Sequence, residues 1–314
     1  MQALPIIVQV VFPIEMSRNS KSKAEAFGVA LLATAFWGLS GTAAQLLFQK
    51  YSFPPLGLVT LRLFIASAVL FAWLRPKWPG PDSKQMLLFG IFGILPSQLF
   101  YFLAIDYSNV AVATLLQLLF LPIVAVYEIL IRVYKFTFSH LAAILLAMAG
   151  TVLLVLNGPN LSLHITPLGF LFGTLCAVAA AYYTLASKQL TRVYGSWSVT
   201  AWGFLIAGVA SLPIGTISLI NASFTINVIL LILFVGFFGT LLAYGLYVMS
   251  LQRLTATEAS ITATGEPITA SIASYVFIGV LLSPFQYLGG GLILLAMYFL
   301  RNVIRKPQED LDNV

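Results

Sequence analysis

Apolar stretches long enough to cross a lipid bilayer follow one another along almost the whole chain, separated by short polar connections. A transmembrane helix needs about 17–25 predominantly apolar residues. Ten stretches meet this length, at residues 25–48, 56–74, 86–107, 110–131, 139–156, 167–187, 198–219, 228–250, 257–281 and 285–304. They are continuous rather than alternating, which predicts helices and not the strands of a barrel. The predicted fold is an all-α polytopic membrane protein with ten transmembrane helices.

The composition agrees with a membrane protein. Of the 314 residues, 60% are hydrophobic and 8% are charged, whereas a soluble domain carries about 25% charged residues. A soluble fold of this size could not bury so much apolar surface. The single cysteine, Cys176, lies in an apolar run. It excludes an intrachain disulfide, and we interpret it as a small packing residue.

The basic residues predict how the chain is oriented. The sequence has 16 Lys and Arg residues. If the N-terminus is cytoplasmic, all but Lys50 and Arg62 fall on the cytoplasmic side of the predicted spans. Cytoplasmic connections carry an excess of Lys and Arg, so both termini are predicted to be cytoplasmic. The net charge of +6 is thereby assigned to orienting loops and not to nucleic-acid binding.

The two halves of the chain resemble each other. The stretch GIFGILPSQLFYFLAIDY at 90–107 aligns with GFFGTLLAYGLYVMSLQR at 236–253. The coinciding residues are Gly90 with Gly236, Gly93 with Gly239, Tyr101 with Tyr247 and, after a one-residue slip, Pro122 with Pro267. Each half holds five spans, an odd number, which predicts an inverted repeat whose halves cross the bilayer in opposite senses.

This repeat sets the predicted domain organisation. The first repeat covers residues 25–157 and the second covers 158–306, with a cytoplasmic extension at 1–24 and a tail at 307–314. Residues 1–15 are apolar but too short for a span, and they lack a basic region typical of a signal peptide. Two interpretations stay open for them: an interfacial segment, or a translation start at Met16.

The sequence resembles EamA-type transporters of the drug/metabolite transporter superfamily over about residues 25–304. The resemblance is carried by AFWGLSGTAAQLL and PPLGLVTLRLFIASAVL in the first two spans, GIFGILPSQLFYFLAIDYSNVAVATLLQLLFLPIVAV in the third and fourth, and ATEASITATGEPITASIASYVFIGVLLSPFQYLGGGLILLAM in the ninth and tenth. It implies an exporter or exchanger of small metabolites, often amino acids or related amphipathic compounds. It also implies a central cavity built by spans 1, 3, 4, 6, 8 and 9.

One departure from the family concerns the ninth span. The family motif there often reads Leu-Glu-Pro, whereas this chain has Gly265-Glu266-Pro267, and the first half has Leu121-Pro122 at the matching place. Any site that uses Glu266 is therefore asymmetric between the halves. Both prolines are predicted to break or kink their spans, because proline removes a backbone donor.

Glu266 is the main candidate for a transport role. It lies about nine residues into its span, roughly 14 Å deep at ~1.5 Å per residue. A charged carboxylate at that depth costs at least a few kcal/mol unless it is paired, hydrated or protonated. Two roles stay open: a proton-coupling or cation-binding group that faces the cavity, and a neutral or capped acid that stabilises the broken helix.

Arg62 is the only basic residue clearly inside a predicted span. Three roles stay open for it: pairing with Asp106 near the outer end of span 3, which we favour, binding a substrate carboxylate, and reaching outward to the interface. The remaining intramembrane candidates for lining the pathway are Trp37, Gln45, Gln98, Tyr101, Gln117, Tyr182, Tyr183, Tyr244 and Thr262. Aromatic walls with a few amides suit an amphipathic ligand.

Two acids near the predicted cytoplasmic side are interpreted as structural. Glu128 and Arg132 have the i,i+4 spacing of a local helix pair. Glu258, near the inner end of span 9, is predicted to be interfacial.

The sequence contains no phosphate-binding loop, His-Glu-x-x-His motif or paired cysteines. We therefore predict no catalytic residue, metal or cofactor, and no soluble ATP-binding domain. The predicted function is secondary transport by alternating access in a bacterial plasma membrane, driven by a gradient of protons, ions or counter-substrate. The partners are a small-molecule substrate and the lipid bilayer, with monomer or homodimer left open. The alternatives are uptake of a nucleotide sugar or vitamin-like compound, and a sensor or assembly factor with a degenerate cavity.

Overall fold

The computed structural model describes residues 22–78, 80, 83–108, 110–131, 137–156, 166–278 and 284–305, and these residues form a bundle of helices. The helices are α1 (Ser22–Tyr51), α2 (Pro55–Leu74), α3 (Ser83–Tyr107), α4 (Val110–Gln117), α5 (Phe120–Leu130), α6 (Phe138–Leu156), α7 (Pro167–Tyr194), α8 (Ser196–Leu219), α9 (Ile226–Ser250), α10 (Ala256–Ala263), α11 (Gly265–Ile278) and α12 (Pro284–Arg305). Two of them contain π-helical segments, Phe89–Ile94 in α3 and Val235–Leu242 in α9.

The helices agree with an all-α polytopic membrane fold. Within the described ranges, six helices are long and apolar enough to cross a membrane, namely α1, α2, α3, α7, α8 and α9. Shorter apolar segments lie in α6 and α12, at Phe138–Gly150 and Tyr287–Ala296. The total of ten crossings and their orientation stay predictions. Residues 1–21 and 306–314, which hold most of the predicted extension and tail, lie outside the described residues.

The fourth and ninth predicted spans each consist of two short helices. The first break is the turn Leu118–Leu119 between α4 and α5, and the second is Thr264 between α10 and α11. In each case the proline, Pro122 or Pro267, is the third residue of the helix after the break. A proline ring clashes with the carbonyl four residues earlier, so the helix is interrupted before the proline and not at it. The first turn of a helix tolerates proline, which lets each chain continue as a new helix.

The two halves pack in an exchanged arrangement. Helix α1 contacts α9 and α11 of the second half, while α7 of the second half contacts α3 and α4 of the first. Two further large contacts join α2 to α8 and α6 to α12. When the halves are exchanged span for span, the contact of α1 with α9 corresponds to that of α7 with α3, and the contacts α2–α8 and α6–α12 correspond to themselves. The centre of the bundle is thereby enclosed by helices from both halves.

Matched glycines mark where the helices of the two halves approach closely. A Cβ added at Gly93 of α3 would lie 3.4 Å from Tyr183 of α7, an ordinary contact. A Cβ at the matching Gly239 of α9 would overlap Ser40 of α1. Glycine allows helix backbones to approach closely in membranes. At this pair of glycines the approach is therefore tighter in the second half than in the first.

The end of the bundle where α1 begins carries an ion pair between the halves. Lys23 of α1 donates to Glu258 of α10 at 2.9 Å. Glu258 also completes a capping box with Thr255, accepting from the Thr255 backbone N–H at 2.7 Å. Glu258 is 3% exposed, and the cap and the lysine satisfy its carboxylate inside the bundle. Its interfacial depth in the membrane stays a prediction.

Glu128, at the end of α5, contacts the other half of the chain. Its two carboxylate oxygens accept from the backbone N–H groups of Ala256 and Thr257 at 2.9 and 2.8 Å. These are among the first N–H groups of α10, which have no partner within the helix and favour a negative charge. Glu128 therefore caps α10 across the bundle, and its local pairing with Arg132 stays a prediction. Its predicted partner, Arg132, lies outside the described residues.

Candidate functional site

A cavity of about 40 Å³ lies between the two halves. Its walls come from helices α1, α2, α3, α4, α5, α7, α9, α10 and α11. The lining residues are Trp37, Ser40, Gly41, Arg62, Ser97, Tyr101, Phe102, Gln117, Phe120, Cys176, Ala180, Tyr183, Thr184, Tyr244, Tyr247, Ala263 and Glu266. This volume holds about two or three water molecules. A metabolite of amino-acid size therefore requires the walls to move apart.

Glu266 reaches the cavity from the break in the ninth span. It is the second residue of α11 and is 5% exposed. A carboxylate in the first turn of a helix is favoured by unpaired N–H groups and the helix dipole. Its Oε1 accepts from the Tyr101 hydroxyl at 2.8 Å, and that hydroxyl lies 3.2 Å from the Thr114 hydroxyl. The Thr114 hydroxyl in turn donates to the Val110 carbonyl at 2.8 Å. The break thus turns the acid toward hydroxyl groups of the first half.

Arg62 reaches the cavity from α2 and is 3% exposed. Its Nε donates to Thr240 Oγ1 at 2.6 Å, and its Nη2 donates to the Gly239 carbonyl at 3.4 Å. Both partners belong to the π-helical segment of α9. Thr240 itself donates to the Val235 carbonyl, five residues earlier, at 2.8 Å. A π-helical turn is uncommon and is often found at functional sites. Here it holds the guanidinium inside the bundle.

This arrangement corrects the favoured pairing of Arg62 with Asp106. Asp106 is exposed near the end of α3, whereas Arg62 points inward to α9. The guanidinium also lies over the ring of Phe102, 4.7 Å from its centroid, and 5.9 Å from that of Tyr244. Such cation–π contacts contribute about 2 kcal/mol when they are shielded from water. The neighbours of Arg62 are therefore neutral oxygens and ring faces, and the carboxylate of Asp106 is not among them.

Four aromatic side chains form one wall of the cavity. The Trp37 ring lies 5.0 Å from the rings of Tyr244 and Tyr247, and the Tyr183 ring lies 5.4 and 6.0 Å from the same two rings. The Trp37 Nε1 and the Tyr183 hydroxyl are buried and have no hydrogen-bond partner in the described part of the chain. Buried polar groups in folded proteins are nearly always hydrogen-bonded. Both groups are free to bond to a water molecule or to a polar ligand atom.

Comparison with known proteins gives the family. Residues 26–156 and 167–302 each match the EamA-like transporter family. The chain belongs to the EamA-like transporter family. As a member it is an integral membrane transporter and not an enzyme.

Relatives of this EamA-like transporter cover most of its length. An uncharacterized inner membrane transporter of Salmonella typhimurium is 30% identical over 84% of this chain and 91% of its own. The threonine/homoserine exporter of Escherichia coli K12 is 28% identical over 90% of this chain and 93% of its own. A probable amino-acid metabolite efflux pump of the same bacterium is 27% identical over 86% and 92%. A crystal structure with a TM-score of 0.74 and 20% identity covers 91% of this chain and 99% of its own, and shows the same fold.

The cavity of this EamA-like transporter brings together seven of the residues selected from the sequence. They are Trp37, Arg62, Tyr101, Gln117, Tyr183, Tyr244 and Glu266. Arg62 adds the second span to the six spans that the family resemblance implied. Pro122 and Pro267 do not line the cavity. They lie in the first turns of the two helices that begin after the breaks, and these helices place Phe120 and Glu266 in the cavity wall.

Five selected residues lie elsewhere. Gln45 donates to Gln49 on an exposed part of α1, and Asp106 is exposed. Thr262 donates to the carbonyl of Ala259 within its own helix. Gln98 is buried beside the cavity but not in its lining. Tyr182 is 38% exposed on the outer surface, because adjacent residues of a helix point about 100° apart and its neighbour Tyr183 points inward.

Several lining residues were not selected from the sequence as site residues, and three of them carry polar groups on α3 and α7. Ser97 of α3 and Thr184 of α7 face the cavity, as does Cys176, which we interpreted as a packing residue. The Cys176 thiol donates to the Ser97 carbonyl at 3.2 Å. A usable signal exists, since Cys176, Ala180 and Thr184 recur every four residues on one face of α7. That spacing becomes informative only once Tyr183 is known to point inward.

Proposed function

We propose that this protein exports or exchanges small metabolites, of the amino-acid type or related amphipathic compounds, by alternating access. The observation that carries the proposal is a small cavity between two similarly built halves, lined by aromatic rings, one acid and one guanidinium. Support comes from the relatives named as an exporter of threonine and homoserine and as an amino-acid metabolite efflux pump. A ligand with polar and apolar parts fits such a wall.

The rocking of one half against the other is part of the same proposal. In an inverted repeat, two similar half-bundles expose a central site alternately to the two sides of the membrane. The contacts at the end where α1 begins would then act as a gate. Opening that end requires the Lys23–Glu258 pair and the cap that Glu128 provides to α10 to separate.

A proton gradient is the proposed energy source, with Glu266 as the coupling group. The Glu266–Tyr101–Thr114–Val110 chain can be satisfied in both protonation states without moving a heavy atom. With Glu266 ionised, Tyr101 donates to it. With Glu266 protonated, the acid donates to Tyr101, Tyr101 donates to Thr114, and Thr114 donates to the Val110 carbonyl. Hydroxyl groups act as donor and acceptor, so rotation alone reverses the chain.

The first test replaces the acid. Glu266→Gln retains size and a hydrogen-bonding oxygen, so we expect a folded protein in which pH-dependent transport is abolished. The measurement is flux into liposomes at several imposed pH gradients, with the exposed Asp106→Asn as a matched control that keeps the wild-type response. Retention of the full pH dependence by Glu266→Gln would assign the acid a structural role in the broken helix.

The second test addresses the substrate class. Purified protein in liposomes is screened against amino acids, amines and nucleotide sugars, with and without a pH gradient. Phosphate groups favour several basic partners, and among the described residues Arg62 is the only basic side chain in the cavity wall. We therefore expect amino acids to be moved and nucleotide sugars not. Transport of a nucleotide sugar would favour the uptake alternative, and no response to any compound would favour a sensor.

We also propose that both termini face the cytoplasm of a bacterial plasma membrane, with inverted repeats at 25–157 and 158–306. The distribution of Lys and Arg carries this orientation. Single cysteines introduced at Lys50 and at Lys77, in a Cys176→Ser background, are expected to react with an impermeant thiol reagent from opposite sides. Labelling of both from one side of intact cells contradicts the proposed topology.

A further inference from the structure

The cavity contains two buried groups of opposite charge type that do not bind each other. Arg62 and Glu266 both line it, and each is at least nine-tenths buried. No salt bridge joins these two described residues. Each is held instead by neutral groups of the opposite half: Arg62 by the π-helical segment of α9, and Glu266 by Tyr101.

Such an arrangement is costly unless something compensates it. A charge inside a membrane protein is stabilised by an opposite charge or by several hydrogen bonds. A direct ion pair between the two groups would be the simplest compensation. Instead, the guanidinium of Arg62 donates to Thr240 and Gly239. Because a guanidinium has five N–H donors, these two bonds leave donors for a further acceptor.

We propose that the cavity selects zwitterions, with an α-ammonium group bound to Glu266 and the carboxylate of the same molecule bound to Arg62. This inference rests on the proposed transport function and names the charge pattern of its substrate. An α-amino acid carries both charges on one short unit, so it can supply a counter-charge to each residue at once. Guanidinium–carboxylate pairs can form two parallel hydrogen bonds, which adds geometric selectivity.

The remaining wall suits the side chain of such a molecule. Trp37, Tyr244 and Tyr247 offer ring faces, which accept apolar atoms. The unpartnered Trp37 Nε1 and Tyr183 hydroxyl offer polar contacts to a hydroxyl or carbonyl oxygen. The two charges therefore select the backbone of the ligand, while the rings and these two polar groups bear on its side chain.

The selectivity follows from what each analogue leaves unpaired. An amine that lacks the carboxylate leaves Arg62 without a counter-charge, and an acid that lacks the amino group leaves Glu266 without one. Sites built to bind a polar group reject analogues that lack it, because their buried polar groups are then unpaired. We expect each analogue to compete at least about tenfold less well than the amino acid.

The experiment compares matched compounds on the full-length protein in liposomes. Labelled L-threonine and labelled L-phenylalanine are tested for counterflow. Whichever is moved is then competed with its amine (1-amino-2-propanol or 2-phenylethylamine) and with its acid (3-hydroxybutyrate or 3-phenylpropionate). The expected result is strong competition by the amino acid and at least about tenfold weaker competition by both analogues.

Variants then assign each preference to one residue. Arg62→Gln should remove the preference for the amino acid over the amine, and Glu266→Gln should remove the preference over the acid. Lys50→Gln and Asp106→Asn, both exposed and outside the cavity, should leave both preferences unchanged. Arg62→Lys keeps the charge without the fork and should retain part of the first preference. Gel filtration and thermal unfolding check that each variant is folded.

Several outcomes overturn the inference. One is equal competition by the amine or the acid in the wild-type protein, a result that needs no variant. Another is an equal loss of both preferences in folded Arg62→Gln and Glu266→Gln. Counterflow of amines or organic acids without amino acids would overturn the zwitterion site but leave a transporter. The absence of counterflow with every compound contradicts the proposed function itself.

Discussion

The broken helix of the first half and that of the second half have the same construction but different chemistry. In each, a short helix ends, a new one begins, and a proline is its third residue. The residue before the proline is Leu121 in the first half, fully buried in the apolar core. In the second half it is Glu266, which lines the cavity. The break therefore supplies the geometry, and the residue beside the proline decides whether the site carries a charge.

The matched tyrosines diverge in the same way. The hydroxyl of Tyr101 donates to Glu266, whereas that of Tyr247 lies 3.3 Å from the hydroxyl of Thr184. Both rings reach the cavity from the third helix of their own half. One faces an acid and the other faces a neutral hydroxyl. The buried carboxylate of Glu266 is tolerated because Tyr101 of the opposite half donates a hydrogen bond to it.

The largest effect is expected from placing an acid in the first break. Leu121→Glu buries a carboxylate in the apolar core, and an uncompensated buried charge costs about 3–5 kcal/mol. Thermal unfolding and the yield of folded protein measure the loss. The control Leu121→Met keeps the apolar volume and should cost less than about 1.5 kcal/mol. Equal stability of the two variants would show that the first break already accommodates a charge.

The next effect concerns the start of α10, which depends on the other half. Glu128→Ala leaves the N–H groups of Ala256 and Thr257 unpaired, at a cost of about 2–3 kcal/mol. The matched control is Glu25→Ala, because Glu25 lies in the first turn of α1 but is exposed. Its removal should cost less than about 1 kcal/mol. Similar losses of thermal stability in both variants would contradict a cap between the halves.

The smallest expected change in stability concerns alanine substitutions at the matched glycines Gly93 and Gly239. Gly239→Ala would overlap Ser40, and overpacking of this kind costs about 1–3 kcal/mol. Gly93→Ala meets atoms no closer than 3.4 Å. Alanine favours a helix over glycine by up to about 1 kcal/mol, so this variant should be neutral or slightly more stable. Thermal unfolding in one detergent compares them, and a larger loss at Gly93 would contradict the difference in packing.

Much of the fold could be predicted from the sequence, because in a membrane each backbone segment must satisfy its own hydrogen bonds. Long apolar runs therefore predict helices directly. The matched prolines Pro122 and Pro267 lie in the two interrupted spans, but Pro213 lies inside the unbroken helix α8, so a proline alone does not predict a break. The unusual acid was visible for the same reason, since a carboxylate deep in an apolar run needs an explanation. The breaks themselves lie three or four residues before the prolines, at a position set by the clash with the preceding turn.

The partners of the charged residues could not be predicted in this way. Arg62 forms hydrogen bonds with the π-helical segment of α9 and not with Asp106. Glu128 accepts hydrogen bonds from the start of α10. These contacts join residues more than 120 positions apart. A local pattern such as i,i+4 spacing carries no information about them.

The sequence by itself determined that this chain is a helical membrane protein with two similar halves and one deep acid. Only the tertiary structure decided which face of each helix lines the cavity. Lipid is as apolar as the protein interior, so a membrane helix lacks the polar outer face that orients a helix in water. Tyr182 and Tyr183 are neighbours of one residue type, yet one is on the outer surface and the other in the cavity. That choice is made by packing between helices.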